Sequence, residues 1–425
     1  MLPTMVIKAI LTIMAPTAVE HPVQSTSNPN TSTKQSTSSV DLSVFPDGFK
    51  TSGQHPPLYD QLSPYSAFPK SISGPTVWDA DEYASHPEQW THVFSPEEIQ
   101  ELSTAADNFI SEGHPLTGIN PSNFPLPTMS ATLKSMRNEL LNGKGFILYK
   151  GIPVDEWGIH KSGVAYFGLG TYIGYPVSQN GKGHILGHVK DLGEDSKQID
   201  KVRIYRTNAR QFFHADDGDV VGLLCLARAE SGGESDVACV HKVWNILQAE
   251  YPDVAEILTK PIWYFDRKGE VSKGEEPYIR TSVIYLETPD PSDPTVPQRV
   301  YCKWDPYYVR STTRFSDAGM IPPLSIEQVH ALETLENVCS RVKLHMILSV
   351  GDIQFVSNSH ILHARTAYRD FAPHTGKPRR HLMRLWLSTP QDEGGWRLPF
   401  HDAFERKRGG IQVDDTPPVA RLDAD

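Results

Sequence analysis

No apolar run in this chain of 425 residues reaches the roughly 18 needed to span a bilayer as a helix, so an integral membrane protein is not expected. Cysteine is scarce. Cys225, Cys239, Cys302 and Cys339 are the only four, and none falls in a C-x-x-C spacing, so neither a zinc ribbon nor a disulfide framework is indicated. They read as reduced core residues. No block of lysine and arginine stands out from a formal net charge of -11, which argues against nucleic acid or an anionic membrane as partner. A local basic pocket for a small anionic molecule stays open. The segment Met5 to Val19 is fairly apolar, but Lys8 interrupts it and no basic region precedes it, so a cytoplasmic protein without a secretory signal is expected. Met14 would serve equally well as a start. No internal repeat of fixed period is present.

What is there divides the chain into parts. Residues 20 to 75 are rich in Ser, Thr, Pro and Asn without the apolar periodicity a core needs, which predicts a disordered tail over 1–75. The folded domain is expected over 76–405, with a C-terminal tail over 406–425. Ser95-Pro96-Glu97-Glu98 has the form of a capping box, followed by Ile99, Leu102, Ala106, Phe109 and Ile110 at helical spacing. GFILYKGIP at 145 to 153 reads as a buried strand, and Asp155 to about Gly170 as a helix. From about 202 onward, short β-rich runs dominate: VRIYRT, VVGLLCLARA, PIWYFDR, YIRTSVIYL, RVYCKW, HMILSV, IQFVS and RRHLMRLWLS. One capped helix, from Ser325, interrupts them, with Ile326, Val329, Leu332, Leu335, Cys339 and Val342 on one face. Helices followed by about eight strands predict an α+β fold, a jelly-roll core decorated by helices.

The chemistry begins at His214-Ala215-Asp216. On a strand, residues i and i+2 point to the same side, so the imidazole and carboxylate can converge on one ion while Ala215 faces away. Two imidazoles and one carboxylate on one face of an octahedron are the ligand set of non-haem Fe(II) oxygenases. With 17 histidines in the chain, about one H-x-D arises by chance, and a surface histidine beside an acidic turn would look the same.

The company the motif keeps is more specific. QFFHADDGDVVGLLCLARAESGGES at 211 to 235 and GDIQFVSNSHILHARTAYRDFAPHTGKPRRHLMRLWL at 351 to 387 together resemble the taurine dioxygenase (TauD/TfdA) family, which includes the clavaminate synthase-like enzymes. The resemblance rests on H-x-D, then G-G-[DE]-[ST], then G-D-x-x-F-x-x-N-x-x-x-L-H-A-R, then R-x-x-x-R. A weaker likeness runs back through GFILYKGIP and FGLGTYIGYPVSQN. It implies a double-stranded β-helix, Fe(II) as cofactor, 2-oxoglutarate as cosubstrate and O2 as oxidant. Carried over, the distal iron ligand is His363 within Leu362-His363-Ala364-Arg365, with His360 as competitor three residues earlier. Arg380 holds the far carboxylate of 2-oxoglutarate, a task that suits a planar guanidinium. Ser235 occupies the place of a threonine that donates to the cosubstrate, and Arg384 meets an anionic group of the primary substrate. His345, His241 and His381 read as structural, Arg379 as solvated.

The implied reaction turns 2-oxoglutarate into succinate and CO2 and oxidises a C–H bond of a small, anionic molecule, with hydroxylation as the default and desaturation or cyclisation using the same ligands. A homo-oligomer stays open. Two other classes compete. A non-catalytic jelly-roll binding protein would have no use for H-x-D, a distal histidine and R-x-x-x-R together. A zinc hydrolase could share the two-His, one-Asp set, but no H-E-x-x-H is present and the arginine pair would go unexplained. Ser178 and Gln179 fall where the taurine enzymes carry a substrate-binding histidine, which puts taurine itself in doubt.

Overall fold

A computed structural model describes residues 62–398 and 410–422, which belong to one compact unit. The capping box at Ser95 forms as the residues predict: Glu98 N donates to Ser95 Oγ (3.2 Å) and Ser95 N to Glu98 Oε2 (2.8 Å), opening the helix Pro96–Glu112. That helix buries Leu102, Ala105, Ala106 and Phe109 and leaves Ile110 exposed. With the helices Ser130–Asn142 and Val154–Gly170 it covers one face of the larger sheet. Ser130–Asn142 buries only Leu133, Leu140 and Leu141, too sparse a pattern to stand out in the sequence.

The larger sheet has seven strands. Thr91–Val93 pairs in parallel with Phe146–Lys150, which continues antiparallel to Ile353–Ser357, Val220–Ala227 and His381–Ser388. Tyr175–Pro176 and Leu186–Val189 both pair with the last of these. The smaller sheet runs Leu344–Met346, Ser235–Cys239, Ile361–Arg365, Gln211–His214, all antiparallel. The two sheets share an apolar layer that includes Phe146, Val221, Val237, Val356, Ile361 and Trp386. Behind the smaller sheet, helices Val240–Glu250, Pro252–Thr259 and Ile326–Val342 bury Trp244, Leu247, Leu258, Leu335 and Cys339. Among the described residues no strand joins one sheet to the other, so the mixed helix-and-sheet fold holds but hydrogen bonds do not close the expected jelly roll into a barrel.

Several expectations need correction. VRIYRT is not a strand: Ile204–Arg206 is a 3-10 turn, and Arg203 and Arg206 pair with Glu270 and Glu194 instead of lying along a sheet edge. YIRTSVIYL splits into Tyr278–Thr281 and Ile284–Leu286, which pair with Trp263–Asp266 and Val300–Cys302 outside both large sheets. The Ser325 helix is not the only one among the strands, since Val240–Glu250 and Pro252–Thr259 lie there too. Its inward face is Ala331, Leu332, Leu335, Val338 and Cys339; Ile326 and Val329 are exposed.

The domain limits also move. Most of the expected tail, 1–61, lies outside the described residues, but 62–75 is packed. Phe68 is buried against Trp244, whose Nε1 donates to Pro69 O (2.9 Å), and Asn245 brackets Ile72 N and O. At the other end, 410–422 folds back: Ile411 N donates to Ser178 O and Val419 N to Gly183 O, each at 2.7 Å.

Candidate active site

Strand register assembles the site. His363 lies directly opposite His214 in the smaller sheet, and their rings are 4.1 Å apart between centroids. A register irregularity follows between His363 and Arg365. The Gln211 strand ends at His214, so Asp216 sits just beyond it, where Asn358 Oδ1 accepts from Asp216 N (3.2 Å) and Asn358 Nδ2 donates to Gly218 O (2.8 Å). His214 Nε2 and His363 Nε2 approach the two Asp216 carboxylate oxygens at 4.0 and 3.7 Å. One ligand atom from each of the three residues lies within 4.8 Å of the others, close enough for one ion to reach all three.

The local chemistry suits a cation. The Phe212 carbonyl can only accept, so His214 Nδ1 carries the proton in their 2.9 Å bond and Nε2 presents its lone pair to the site. Gln211 Nε2 donates to that lone pair at 2.8 Å, a hydrogen bond that metal binding would have to replace. Burial, then the neighbouring His214, pushes His363 down to about 3, so its ring is neutral and able to ligate. For Asp216, burial alone would raise the carboxyl, but the neighbouring Arg384 cation leads the influences that hold the group below its ordinary range. Asp216 Oδ2 and His363 Nδ1 are buried without a hydrogen-bond partner. Two imidazoles, that of His363 neutral through burial, facing an ionised carboxylate with one unsatisfied oxygen fit a divalent metal.

Beside these residues a cavity is lined by Ser235, Gln354, Arg365, Arg380, Leu223 and Leu348, among others. Arg380 and Arg365 flank the Tyr368 ring at 4.9 and 5.0 Å. Arg380 Nη2 donates to Gly233 O (3.0 Å), while Nη1 is buried with no partner. Arg365 donates to the carbonyls of Thr207 and Ala209. Burial lowers both guanidiniums, Arg365 to about 10 with Arg380 as the next cause. Two desolvated cations in one cavity, neither ion-paired to a carboxylate, match a dianion. Gly233 is required here: at φ +80°, its missing Cβ would stand 2.6 Å from Arg380 Nε. Ser235 Oγ donates to Gln354 Oε1 at 3.1 Å, on the same cavity wall.

The family model described as Taurine catabolism dioxygenase TauD, TfdA family, matches residues 112–386. The chain belongs to that family. It is an Fe(II)- and 2-oxoglutarate-dependent dioxygenase, with O2 as the other substrate. Among its relatives is FR-33289 synthase of Streptomyces rubellomurinus, 29% identical over 82% of this chain and 98% of the relative. Taurine hydroxylase-like protein SAT17 of Stachybotrys chartarum is 26% identical over 76% and 80%. Similar solved folds include an asparagine oxygenase with Fe(II), 3-hydroxyasparagine and succinate (16% identity, TM-score 0.50, covering 70% of this chain and 93% of that one). Another is the non-haem iron oxygenase OrfP with Fe, succinate and (3S)-hydroxy-L-Arg (14%, TM-score 0.51, 71% and 94%).

In this TauD/TfdA member the other histidines weighed as candidates, His360, His241, His345 and His381, are occupied. His360 bonds Gly143 O and Ser357 Oγ, stacks on Trp396 and lies outside the cavity. His241 bonds Thr76 Oγ1 and Val300 O, His345 bonds Asp236, and His381 bonds His188. Exposed Arg379 is not merely solvated, since it pairs with Asp191 and Asp370. Arg384 lies on the wall of the Arg380 cavity and also of a second cavity, on whose wall Asp216 lies. Its Nε donates to Gln179 Oε1 (2.8 Å) and its Nη1 lies 3.3 Å from Asp216 Oδ1, under the ring of Tyr205. Sequence reasoning missed Gln211, Tyr205, Arg365 and Gln354. Three of these sit inside the quoted motifs, so their positions were in view. Tyr205 lies in the misread VRIYRT segment.

Proposed function

We propose that this dioxygenase hydroxylates a C–H bond of a small anionic molecule, with iron on His214, Asp216 and His363, and with 2-oxoglutarate on Arg380 and Ser235. Bound iron would supply the activation of O2 that couples conversion of 2-oxoglutarate to succinate and CO2 with oxidation of the substrate. The protein's own part is to hold and orient. Two imidazoles and a carboxylate offer three donors, and the strand register keeps the two histidines together. Arg380 would anchor the cosubstrate through its partnerless Nη1, and Ser235 would add a donor from the neighbouring wall.

The observation that carries the reading is that the His–Asp–His cluster and a buried, uncompensated Arg380 open on adjoining space. Hydroxylation draws support from the hydroxylated amino acids held by the asparagine oxygenase and OrfP. Arg384 is proposed as a substrate contact because it also lines the second cavity. The double-stranded β-helix is the family reading of the two sheets, and a cytoplasmic setting agrees with four buried free cysteines. Among the described residues no helix is long and apolar enough to cross a membrane. A panel of amino, carboxylic, sulfonic and phosphonic acids, assayed for substrate-dependent succinate release with Fe(II), tests the proposal. Stimulation by an acid and not by its uncharged analogue is expected; no 2-oxoglutarate turnover with any acid, and no Fe(II)-dependent binding of 2-oxoglutarate, would sink it.

A further inference from the structure

The second cavity holds three cationic side chains, Arg203, Lys268 and Arg384. Two of them are matched. Arg203 pairs with Glu270 (3.1 Å) and donates to the Tyr308 hydroxyl, and Arg384 pairs with Asp216 (3.3 Å). Lys268 differs, because its ammonium donates to the Ile199 carbonyl and, among the described residues, no carboxylate forms an ion pair with it. Burial pulls it down to about 8, with Asp266 and Asp305, the latter on the wall of the same cavity, acting in the opposite direction without forming an ion pair.

The chain also holds Lys268 in place at a conformational cost. Its φ of 53° is in the left-handed region, where among the described residues only one other non-glycine residue, Asp414, is found. Asp266 fixes the turn: its Oδ1 accepts from Lys268 N (2.7 Å) while the carboxylate pairs with Arg314 (2.7 Å). Gly269 follows, also at positive φ. An unfavourable backbone that is locked by a buried carboxylate and sets an unmatched ammonium on a cavity wall is what a preorganised anion site requires. Tyr308 lines the same cavity, with Lys268 Nζ over its ring at 5.8 Å from the centroid. Its hydroxyl oxygen accepts from Arg203, and burial raises the phenol so that it keeps a proton to donate.

We propose that Lys268, with the Tyr308 hydroxyl, binds an anionic oxygen-bearing group of the primary substrate, a carboxylate, sulfonate or phosphonate. This rests on the reading that the second cavity takes the primary substrate, and it makes Lys268 the group that selects for charge there. Being compact and freely rotating, an ammonium accepts any of these oxyanions, unlike a guanidinium fork.

The test is anaerobic calorimetric titration of the protein, with and without Fe(II) and 2-oxoglutarate, using methylphosphonate and the uncharged dimethyl sulfone as probes. Saturable binding of methylphosphonate at least tenfold tighter than dimethyl sulfone is expected. Lys268→Asn, which removes the ammonium but tolerates left-handed backbone, should weaken methylphosphonate binding at least tenfold with an unchanged melting temperature, and Lys268→Arg should retain most of it. No saturable binding to the parent protein, or equal binding to Lys268→Asn, would overturn the proposal. So would loss of binding in Arg384→Ala with Lys268→Asn unaffected. Failure of 2-oxoglutarate to bind would count against the proposed function alone, since the methylphosphonate titration is read separately.

Discussion

The two cavities that meet at Arg384 are built from different parts of the chain. The one containing Arg380 is walled largely by strand residues of both sheets and by the two positions just before them, with Ser235, Gln354, His363 and Leu382 held in register by ladder hydrogen bonds. The one containing Lys268 is walled mostly by connecting segments, namely Val202 to Tyr205, Lys268 in the turn after Trp263–Asp266, and Asp305, Tyr307 and Tyr308 at the start of the short helix Pro306–Arg310. Charge is also handled differently. Apart from Arg384, which the two share, the first holds Arg365 and Arg380, buried without a carboxylate ion pair among the described residues, whereas in the second Arg203 is paired with Glu270. A site whose ligand never changes can be built on rigid strands and left electrostatically unfinished, whereas a site that sets specificity can be assembled on connecting segments, which tolerate variation.

The comparison breaks most completely at the residues between the cavities. His214→Ala or His363→Ala should abolish turnover and the visible absorption band of the anaerobic Fe(II) and 2-oxoglutarate complex. His360→Ala should keep the band, because His360 is bonded to Gly143 and Ser357 away from the cavity. Loss of the band in His360→Ala with retention in His363→Ala would overturn the ligand assignment.

The next largest effect belongs to the cosubstrate side. If Arg380 holds 2-oxoglutarate as proposed, Arg380→Ala leaves a buried anion without its partner, which typically costs about 3 to 5 kcal/mol, or about two to four orders of magnitude in affinity. Titration of the band with 2-oxoglutarate measures it, and an unchanged midpoint would remove Arg380 from the cosubstrate site. On the substrate side, Arg384→Ala should weaken substrate binding by about tenfold, the 1.4 kcal/mol scale of one charged hydrogen bond, while the band titration stays within a few-fold. Succinate should then form in excess over oxidised product. Loss of the band would move Arg384 to the metal and cosubstrate, and the contrast between the cavities would narrow.

The smallest effect sharpens the contrast from within the strand-built wall. Ser235→Ala removes one neutral hydroxyl, worth about 1 kcal/mol, and should raise the 2-oxoglutarate midpoint roughly fivefold. Ser235→Thr should restore it. A null result in Ser235→Ala would mean that its bond to Gln354 Oε1 is the whole of its role.

Local sequence determined what local physics controls. Ser95 and Ser325 announce capped helices because the cap is made by residues three apart, and both caps form. The motif residues were legible from the H-x-D and R-x-x-x-R spacings, but the strand argument for them holds only in part, since Asp216 lies just past Gln211–His214 and Arg380 just before His381–Ser388. What the tertiary structure decided is which distant pieces meet. Nothing in the sequence says that His363 pairs opposite His214, that 62–75 and 410–422 pack onto the domain, or that VRIYRT turns instead of extending. Lys268 was invisible for the same reason. Its significance comes from a left-handed turn held by Asp266 and from the carboxylates that reach Arg203 and Arg384 but not its own ammonium, and these are contacts between segments whose placement no local pattern encodes.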